Sequence, residues 1–352
     1  MSLEIQAKSR IMQGRVVKDA SNLVEGASAY VLEERLEDWR HGSFGTVSKV
    51  LRLSDQKILI AKFIHLNPAN NELNLRVIRE IDNMERVKHI FGCVKLEEHF
   101  LQDNFVQDLI EEEYHGKPVG SHPPSLAVVL ILENMEGGDI GAMITRGVFH
   151  TNVEYACVVF LQVIVGLHQI HQLNMIHRDI GAGNVLVDAD GHVVKIADFG
   201  FSNSYEGETR RLDAVQTQLG TVSYRPPEVW KNERYGASAD IFALGVLMYE
   251  AIRQEWAFGE YDEATIKERV VGQTAYPLEC GNEQVSLLVG QMLQQDPAAR
   301  PTTGDILRSS VMQDAFEKLK HFFGGGNTNP LKEECRLAIE EVMDSIAPKG
   351  AA

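Results

Sequence analysis

The sequence predicts an α+β fold in two lobes, a small mostly-β N-terminal lobe with one key helix and a larger mostly-α C-terminal lobe. Three observations carry this expectation. Strand-like patterns fill the chain from about Tyr30 to Leu132 and are broken by one segment of helical spacing. After Gly137-Gly138, apolar residues recur mainly at helical spacing to about Phe323. A length of 352 residues also suits two lobes of ordinary size.

Taken in order, residues 1–28 are polar and mixed, a helix or a loose arm. TVSKVLRL and KILIAKFI alternate or run apolar, as half-buried and buried strands do. Asn74–Lys88 places Leu75, Ile78, Ile81, Met84 and Val87 on one helix face. Residues 102–125 are acidic, then rich in Gly, Pro and Ser, and read as a solvated loop insertion. LAVVLIL (126–132) is of strand length, and Tyr155–Gln172 is helical in spacing. NVLVD and HVVKIAD form a strand pair turned by Asp190-Gly191. Residues 201–223 are polar and hydroxyl-rich, and Asp240–Ile252 is an apolar helix. Gly324-Gly325-Gly326 reads as a hinge before a last amphipathic helix, Pro330–Ile346, with Leu331, Cys335, Ile339, Val342 and Ile346 on one side. That side is expected to pack on its own domain in preference to recruiting a partner. The expected boundaries are an N-terminal extension at 1–29, a domain at 30–322 divided into lobes 30–135 and 136–322 with the insertion at 102–125, and a hinge and helix at 323–352.

Hydrophobic residues make up 44% and charged residues 24%, which is globular usage, and the net charge is −16. So acidic a surface argues against non-specific nucleic-acid binding and against adhesion to anionic membranes. Cys93, Cys157, Cys280 and Cys335 lack metal spacing and a dense disulfide framework, so free thiols are expected. The N-terminus lacks a signal-peptide run, and no segment reads as the ~20 apolar residues of a membrane span. An intracellular, cytoplasmic protein is the expectation.

The residues that carry chemistry fall in a fixed order. Gly42 and Gly45 in GSFGTV let backbone N–H groups approach phosphate oxygens. Lys62, in a strand of apolar residues, is costly unless an anion meets it, and Glu80 on the following helix is a candidate partner. The stretch HRDIGAGN (177–184) sets Asp179 close to Asn184, and DFG (198–200) ends the next strand pair. Two carboxylates and an amide suit a hard, oxygen-seeking Mg²⁺.

With IAK (60–62), LENMEGGD (132–139), GTVSYRPPE (220–228), DIFALGV (240–246) and DPAARPT (296–302), these motifs resemble the eukaryotic protein kinases from about Tyr30 to Phe322. The resemblance implies the bilobal kinase fold, with ATP and Mg²⁺ as cofactors and a protein substrate. Lys62 would bind the ATP phosphates and pair with Glu80. Val47, Ala61 and Leu186 would sandwich adenine. Leu132 would gate the pocket, Glu133 through Met135 would bond the base, and Asp139 would lie at the cleft edge. Asp179 would be the catalytic base, and Asn184 and Asp198 the metal ligands. Met84, Phe199 and His177 would stack into a core column anchored by Asp240. Glu228 and Arg300 would form a buried ion pair. In the activation segment, Thr217 is the regulatory phosphorylation candidate, with Arg178 as its partner and Ser202, Ser204, Tyr205 and Thr209 as competing sites. Thr221 would bond Asp179.

The chain departs from the pattern most where a cation is expected. Serine/threonine kinases usually place lysine two residues after the catalytic aspartate, and tyrosine kinases usually place arginine four after it; here these positions are Gly181 and Gly183. Losing one charge-stabilising donor commonly costs ~10²–10³ in rate. Arg210 or Arg211 is a candidate substitute. Two functions therefore stay open: an active kinase, serine/threonine-specific in preference to tyrosine or dual specificity, and a pseudokinase acting as a nucleotide-binding scaffold. Partners at the 102–125 insertion or the last helix also stay open. Gly181→Lys is expected to preserve or raise turnover, and Lys62→Met to abolish it with the fold intact.

Overall fold

The computed structural model describes residues 23–25, 29–35, 46–66, 71–103, 126–204, 221–259, 262–272, 277–324 and 330–347. The chain separates into two compact units, one formed by residues up to 88 with 95–134, the other by 89–94 with 135 onward.

The first unit is a six-stranded sheet with one helix. Its elements are β1 (Leu23–Glu25), β2 (Ala29–Arg35), β3 (Thr46–Arg52), β4 (Lys57–Leu66), α1 (Asn71–Val87), β5 (Leu96–Asp103) and β6 (Leu126–Glu133). The strand order is β1-β2-β3-β4-β6-β5, and every neighbouring pair is antiparallel. Two expected boundaries shift. Leu23–Glu25 pairs with Ala29–Val31, so part of the expected N-terminal extension is a sheet strand. β5 continues through Gln102 and Asp103, which pair with Ala127 and Leu126, so the insertion begins after the strand.

Strand alternation sorts this sheet's side chains. Tyr30, Val50, Leu59, Ala61, Phe63, Phe100, Val129 and Ile131 form one buried cluster. Opposed residues in an antiparallel ladder share a face and adjacent residues alternate. The register Val47↔Lys62↔Leu130 therefore marks the other face, together with Ile60 opposite Leu132. On α1, Val77, Ile81, Met84 and Val87 are buried, close to the expected helix face.

The second unit is mostly helical. It contains β7 (Gly138–Asp139), α2 (Gly141–Thr145), α3 (Val148–Thr151), α4 (Val153–Gln172), β8 (Met175–Ile176), a 3-10 turn at Ala182–Asn184, β9 (Val185–Val187), β10 (Val194–Ile196) and β11 (Asn203–Ser204). Then come a 3-10 turn at Val222–Tyr224, α5 (Pro227–Trp230), α6 (Ala237–Arg253), α7 (Glu263–Gly272), α8 (Glu283–Met292), α9 (Thr303–Arg308), α10 (Ser310–Gly324) and α11 (Pro330–Ile346). β9 and β10 form the expected hairpin, and Gly191 adopts φ +76° in its turn.

Helix α4 amends one expectation. Val153–Gln172 is long and apolar enough to cross a membrane, but 72% of its most apolar stretch is buried inside the protein. Its apolar residues serve this unit's core, against α6, α9 and α10. Asn152 caps it by accepting the Tyr155 N–H at 2.9 Å. The segment 89–94 lies on α4 at Gly166, where an added Cβ would stand 2.9 Å from the Gly92 carbonyl oxygen. That approach requires glycine.

Gly324 of the expected hinge is the last residue of α10, and 325–329 lie outside the described residues. Helix α11 packs on α4, α9 and α10. Cys335, Ile339, Val342 and Met343 are buried, and Lys332 is also buried, with its Nζ 3.0 Å from Asp190 Oδ2. The face proposed for packing is thus covered by its own unit.

Candidate active site

The first unit carries Lys62 and Glu80. β4 aims Lys62 from an apolar strand, and α1 turns Glu80 toward it, so that Nζ lies 2.6 Å from Oε1. Lys62 is 9% exposed and Glu80 3% exposed. A charge buried to this degree requires a partner, and each supplies the other's. Val47 lies opposite Lys62 in the ladder, and half-buried Leu132 lies opposite Ile60. Glu133 donates its N–H to Lys95 O at 3.0 Å and accepts the Lys95 N–H on Oε1 at 2.6 Å.

Ala61 is a correction. It sits in the cluster on the sheet face opposite Lys62 and Val47, so it does not share their surface. Ile60, two residues before Lys62, occupies the face expected of Ala61. Period-2 alternation is the reason, and it was readable in the sequence.

The second unit carries the carboxylates. β8 delivers the chain to His177–Asp179. The Asp240 carboxylate on α6 accepts the backbone N–H groups of His177 and Arg178, each at 2.8 Å, and pairs with His171 Nε2 at 2.9 Å. Burial pushes the Asp240 carboxyl up, but His171 and these donors hold it below the usual carboxylate range. Arg178 adopts φ +70°, a left-handed conformation costing ~1–3 kcal/mol in a non-glycine residue, and the bonds to Asp240 hold it there. His177 Nε2 bonds Ala197 O at 3.0 Å, and its ring meets Phe199 edge-on at 5.1 Å. Met84, the third residue of the expected column, is buried in the first unit.

Asp179 and Asn184 are drawn together by the 3-10 turn. Asn184 Nδ2 donates to Asp179 O and Oδ2, both at 2.8 Å. That leaves the Asn184 carbonyl oxygen as its acceptor group. Thr221 donates its N–H to Asp179 Oδ1 at 2.9 Å and its hydroxyl to the same oxygen at 3.4 Å. Burial pushes the Asp179 carboxyl above the usual range; the Asp198 charge adds to the rise, and the Thr221 N–H, His177 and Asn184 oppose it. Asp198 follows β10, adopts φ +61° and accepts the Gly200 N–H on Oδ1 at 3.1 Å. Leu186 is buried in β9 opposite Asp139, whose Oδ1 accepts the Gly141 N–H at 2.8 Å. Gly138 N–H closes a turn on buried Met135 O at 3.1 Å.

Glu228 and Arg300 meet in a two-pronged pair at 2.7 and 2.8 Å, at 2% and 6% exposure. Arg178, expected to await a phosphate, donates Nη1 to Tyr235 Oη at 2.9 Å, and its Nε is buried without a partner among the described residues. Ser202 is buried and bonds His177 O at 3.3 Å. Gly42, Gly45, Tyr205, Thr209, Arg210, Arg211 and Thr217 lie outside the described residues.

Three features escaped the sequence. His171 joins the Asp240 cluster. Arg225, 7% exposed, stacks 5.1 Å from the Trp230 ring; burial lowers its pKa, while Glu263 and Asp179 raise it, so this cation feels the Asp179 charge. Tyr224 lies against Gly181, where an added Cβ would stand 2.9 Å from the ring. Gly181 is buried, so a lysine there would have to displace the Tyr224 ring. Only long-range packing reveals the last two.

A family model described as a protein kinase domain matches residues 36–312. Serine/threonine-protein kinase Nek6 of Oryza sativa subsp. japonica is 25% identical over 283 residues, 80% of this chain and 48% of that one. Protein kinase C of Aspergillus fumigatus is 31% identical over 192 residues, 54% of this chain and 16% of the relative. NUAK family SNF1-like kinase 2 of Rattus norvegicus is 28% identical over 275 residues, 78% of this chain and 39% of the relative. The chain spans less than half the length of each of these relatives.

Proposed function

The chain belongs to the protein kinase family, and from that premise we propose that it transfers the γ-phosphate of ATP to a serine or threonine hydroxyl of a protein substrate. The observation that carries the reading is the Asp179 cluster. A buried carboxylate, raised above its usual pKa, is held by Asn184 on one oxygen and Thr221 on the other. A carboxylate so placed accepts the proton of an attacking hydroxyl. The Thr221 contact supports serine/threonine preference.

Asn184 and Asp198 fit a divalent metal. The Asn184 amide nitrogen is spent on Asp179, which turns its carbonyl oxygen to ligation, and the Asp198 charge is felt at Asp179. These are hard oxygen donors of the kind Mg²⁺ selects. When bound, Mg²⁺ supplies charge neutralisation at the phosphates. Lys62, oriented by Glu80, supplies a fixed positive charge for the α- and β-phosphates. A cytoplasmic site of action belongs to the same proposal.

The two glycines favour a second reading, a scaffold that binds nucleotide without transfer. Radiolabelled ATP, a mixed serine/threonine/tyrosine peptide array and Asp198→Ala as control separate the two. Label on serine or threonine from the native chain, lost in the variant, is expected. Equal signals from both proteins favour the scaffold, and a thermal shift with ATP and Mg²⁺ then shows whether it binds nucleotide.

The pH profile adds a second expectation. Asp179 must be ionised to accept a proton, and its pKa is raised, so kcat/KM falls on the acid side through an apparent pKa above ~3.9, the ordinary aspartate value. An acid limb at or below that value contradicts a raised Asp179 pKa.

A further inference from the structure

Asn184 and Asp198 leave the open end of one hairpin. Asn184 directly precedes β9, and Asp198 follows β10 by two residues. The ladder runs from Val185↔Ile196 to Val187↔Val194, and the Ala197 N–H donates to Asn184 O at 2.9 Å. The closed end is braced by Asp188, whose Oδ1 accepts the N–H groups of His192 at 2.6 Å and Val193 at 2.9 Å. Both strands are buried throughout, and packed elements transmit displacement with little compression. Whatever holds the turn therefore also sets where Asn184 and Asp198 stand.

Three side chains from beyond the family-matched residues 36–312 reach toward that turn. Lys332 of α11 sets its Nζ 3.0 Å from Asp190 Oδ2. Cys335, one helical turn further, donates its thiol hydrogen to Gln162 Oε1 at 3.2 Å. The Phe322 ring of α10 meets the His192 ring edge-on at 4.7 Å. Gln162 itself stands among buried, mostly apolar residues of α4, where an amide is costly unless it is bonded. Its Oε1 also accepts the Val194 N–H at 3.1 Å, and its Nε2 donates to His192 O at 2.9 Å. Packing α11 needs no charge at position 332, since an ion pair that buries a charge adds little stability over an apolar contact. What such a pair does supply is register between the helix and the turn.

We propose that α11 is a built-in brace for the hairpin that carries Asn184 and Asp198, and that Lys332 is a positioning residue for phosphoryl transfer, acting through Asp190. This rests on the protein-kinase reading above. Lys332 lies at the end of the hairpin remote from Asn184 and Asp198 and touches no reacting atom. Cys335 and Gln162 form the second point of the brace, on β10.

The test is a double-mutant cycle on the full chain with Asp190→Asn, Lys332→Met and the double variant. Asp190 is exposed, so Asp190→Asn tests the pair even where Lys332→Met folds poorly. The readouts are kcat and KM on a peptide taken from the array, the Mg²⁺ concentration for half-maximal rate, the thermal midpoint, and amide exchange at 184–187 and 194–198 without nucleotide. Displacing catalytic groups by a fraction of an ångström is expected to cost roughly tenfold in kcat. Loosening the support of metal ligands is expected to raise the Mg²⁺ requirement about tenfold. Asp190→Asn should show both with KM for the peptide unchanged, and Asp190→Glu should restore most of the rate. The double variant should be no worse than the poorer single, as for two members of one contact. A lower midpoint with unchanged kcat and Mg²⁺ requirement marks the pair as packing alone and overturns the proposal, as do losses that multiply. A wild type that transfers nothing defeats the kinase reading separately. Amide exchange then decides: faster exchange in Asp190→Asn supports the brace, and unchanged exchange overturns it.

Discussion

Lys62→Met is expected to lower phosphoryl transfer at least ~10²-fold, because it removes a preorganised cation from the developing phosphate charge. The structure changes one part of the sequence-based expectation, that the fold stays intact. Glu80 is 3% exposed, and its carboxylate has Lys62 Nζ at 2.6 Å. Removing the amine takes an ion-pair partner from a buried carboxylate, at a cost of up to about 3–5 kcal/mol. The activity loss must therefore be separated from the stability loss. Lys62→Met combined with Glu80→Gln removes both charges of the pair, and it should recover much of the thermal midpoint while transfer stays lost. Recovery of activity in the double variant would contradict a direct role for Lys62.

The second large effect is structural and lies in the other unit. Arg300→Met is expected to cost about 3–5 kcal/mol, since Glu228 would remain buried without its partner. The guanidinium also donates to the carbonyls of Gln294, Ser238 and Gln295 and lies 4.8 Å from the Phe242 ring. All of these are lost with the arginine, so Arg300→Met should destabilise more than Glu228→Gln, which keeps a neutral acceptor. Thermal unfolding should show a drop on the order of 10 °C for Arg300→Met. A drop under about 2 °C would mean that the pair adds little to this unit.

Much of this was legible because the chemistry follows local pattern. Strand alternation around Lys62 and helical spacing around Glu80 placed both groups correctly, and two short motifs placed Asp179, Asn184 and Asp198 on loops joined by one hairpin. Asp240 and the Glu228–Arg300 pair were found through the resemblance, and their contacts are present. Ala61 was misread because motif position was followed where period-2 geometry put Ile60 on the Lys62 face. Gln102 and Asp103 were missed because polar residues at the end of an edge strand carry little period, and Leu23–Glu25 because three residues are too few to show one. Gly181 was read as a missing charge; the Tyr224 ring packed against it comes from a distant segment, and no local pattern announces that contact. The opposite case is α4, whose uniform apolarity marks a core helix only once its neighbours are known.

Labelling with a lysine-reactive acyl phosphate of ATP is the most direct test of whether Lys62 and Asp198 serve one nucleotide. Mass spectrometry of the digested protein should find the label on Lys62, displaced by excess ATP with Mg²⁺ and weakened in Asp198→Ala. Label spread over exposed lysines, or label on Lys62 that is indifferent to both ATP and the Asp198 substitution, would contradict it.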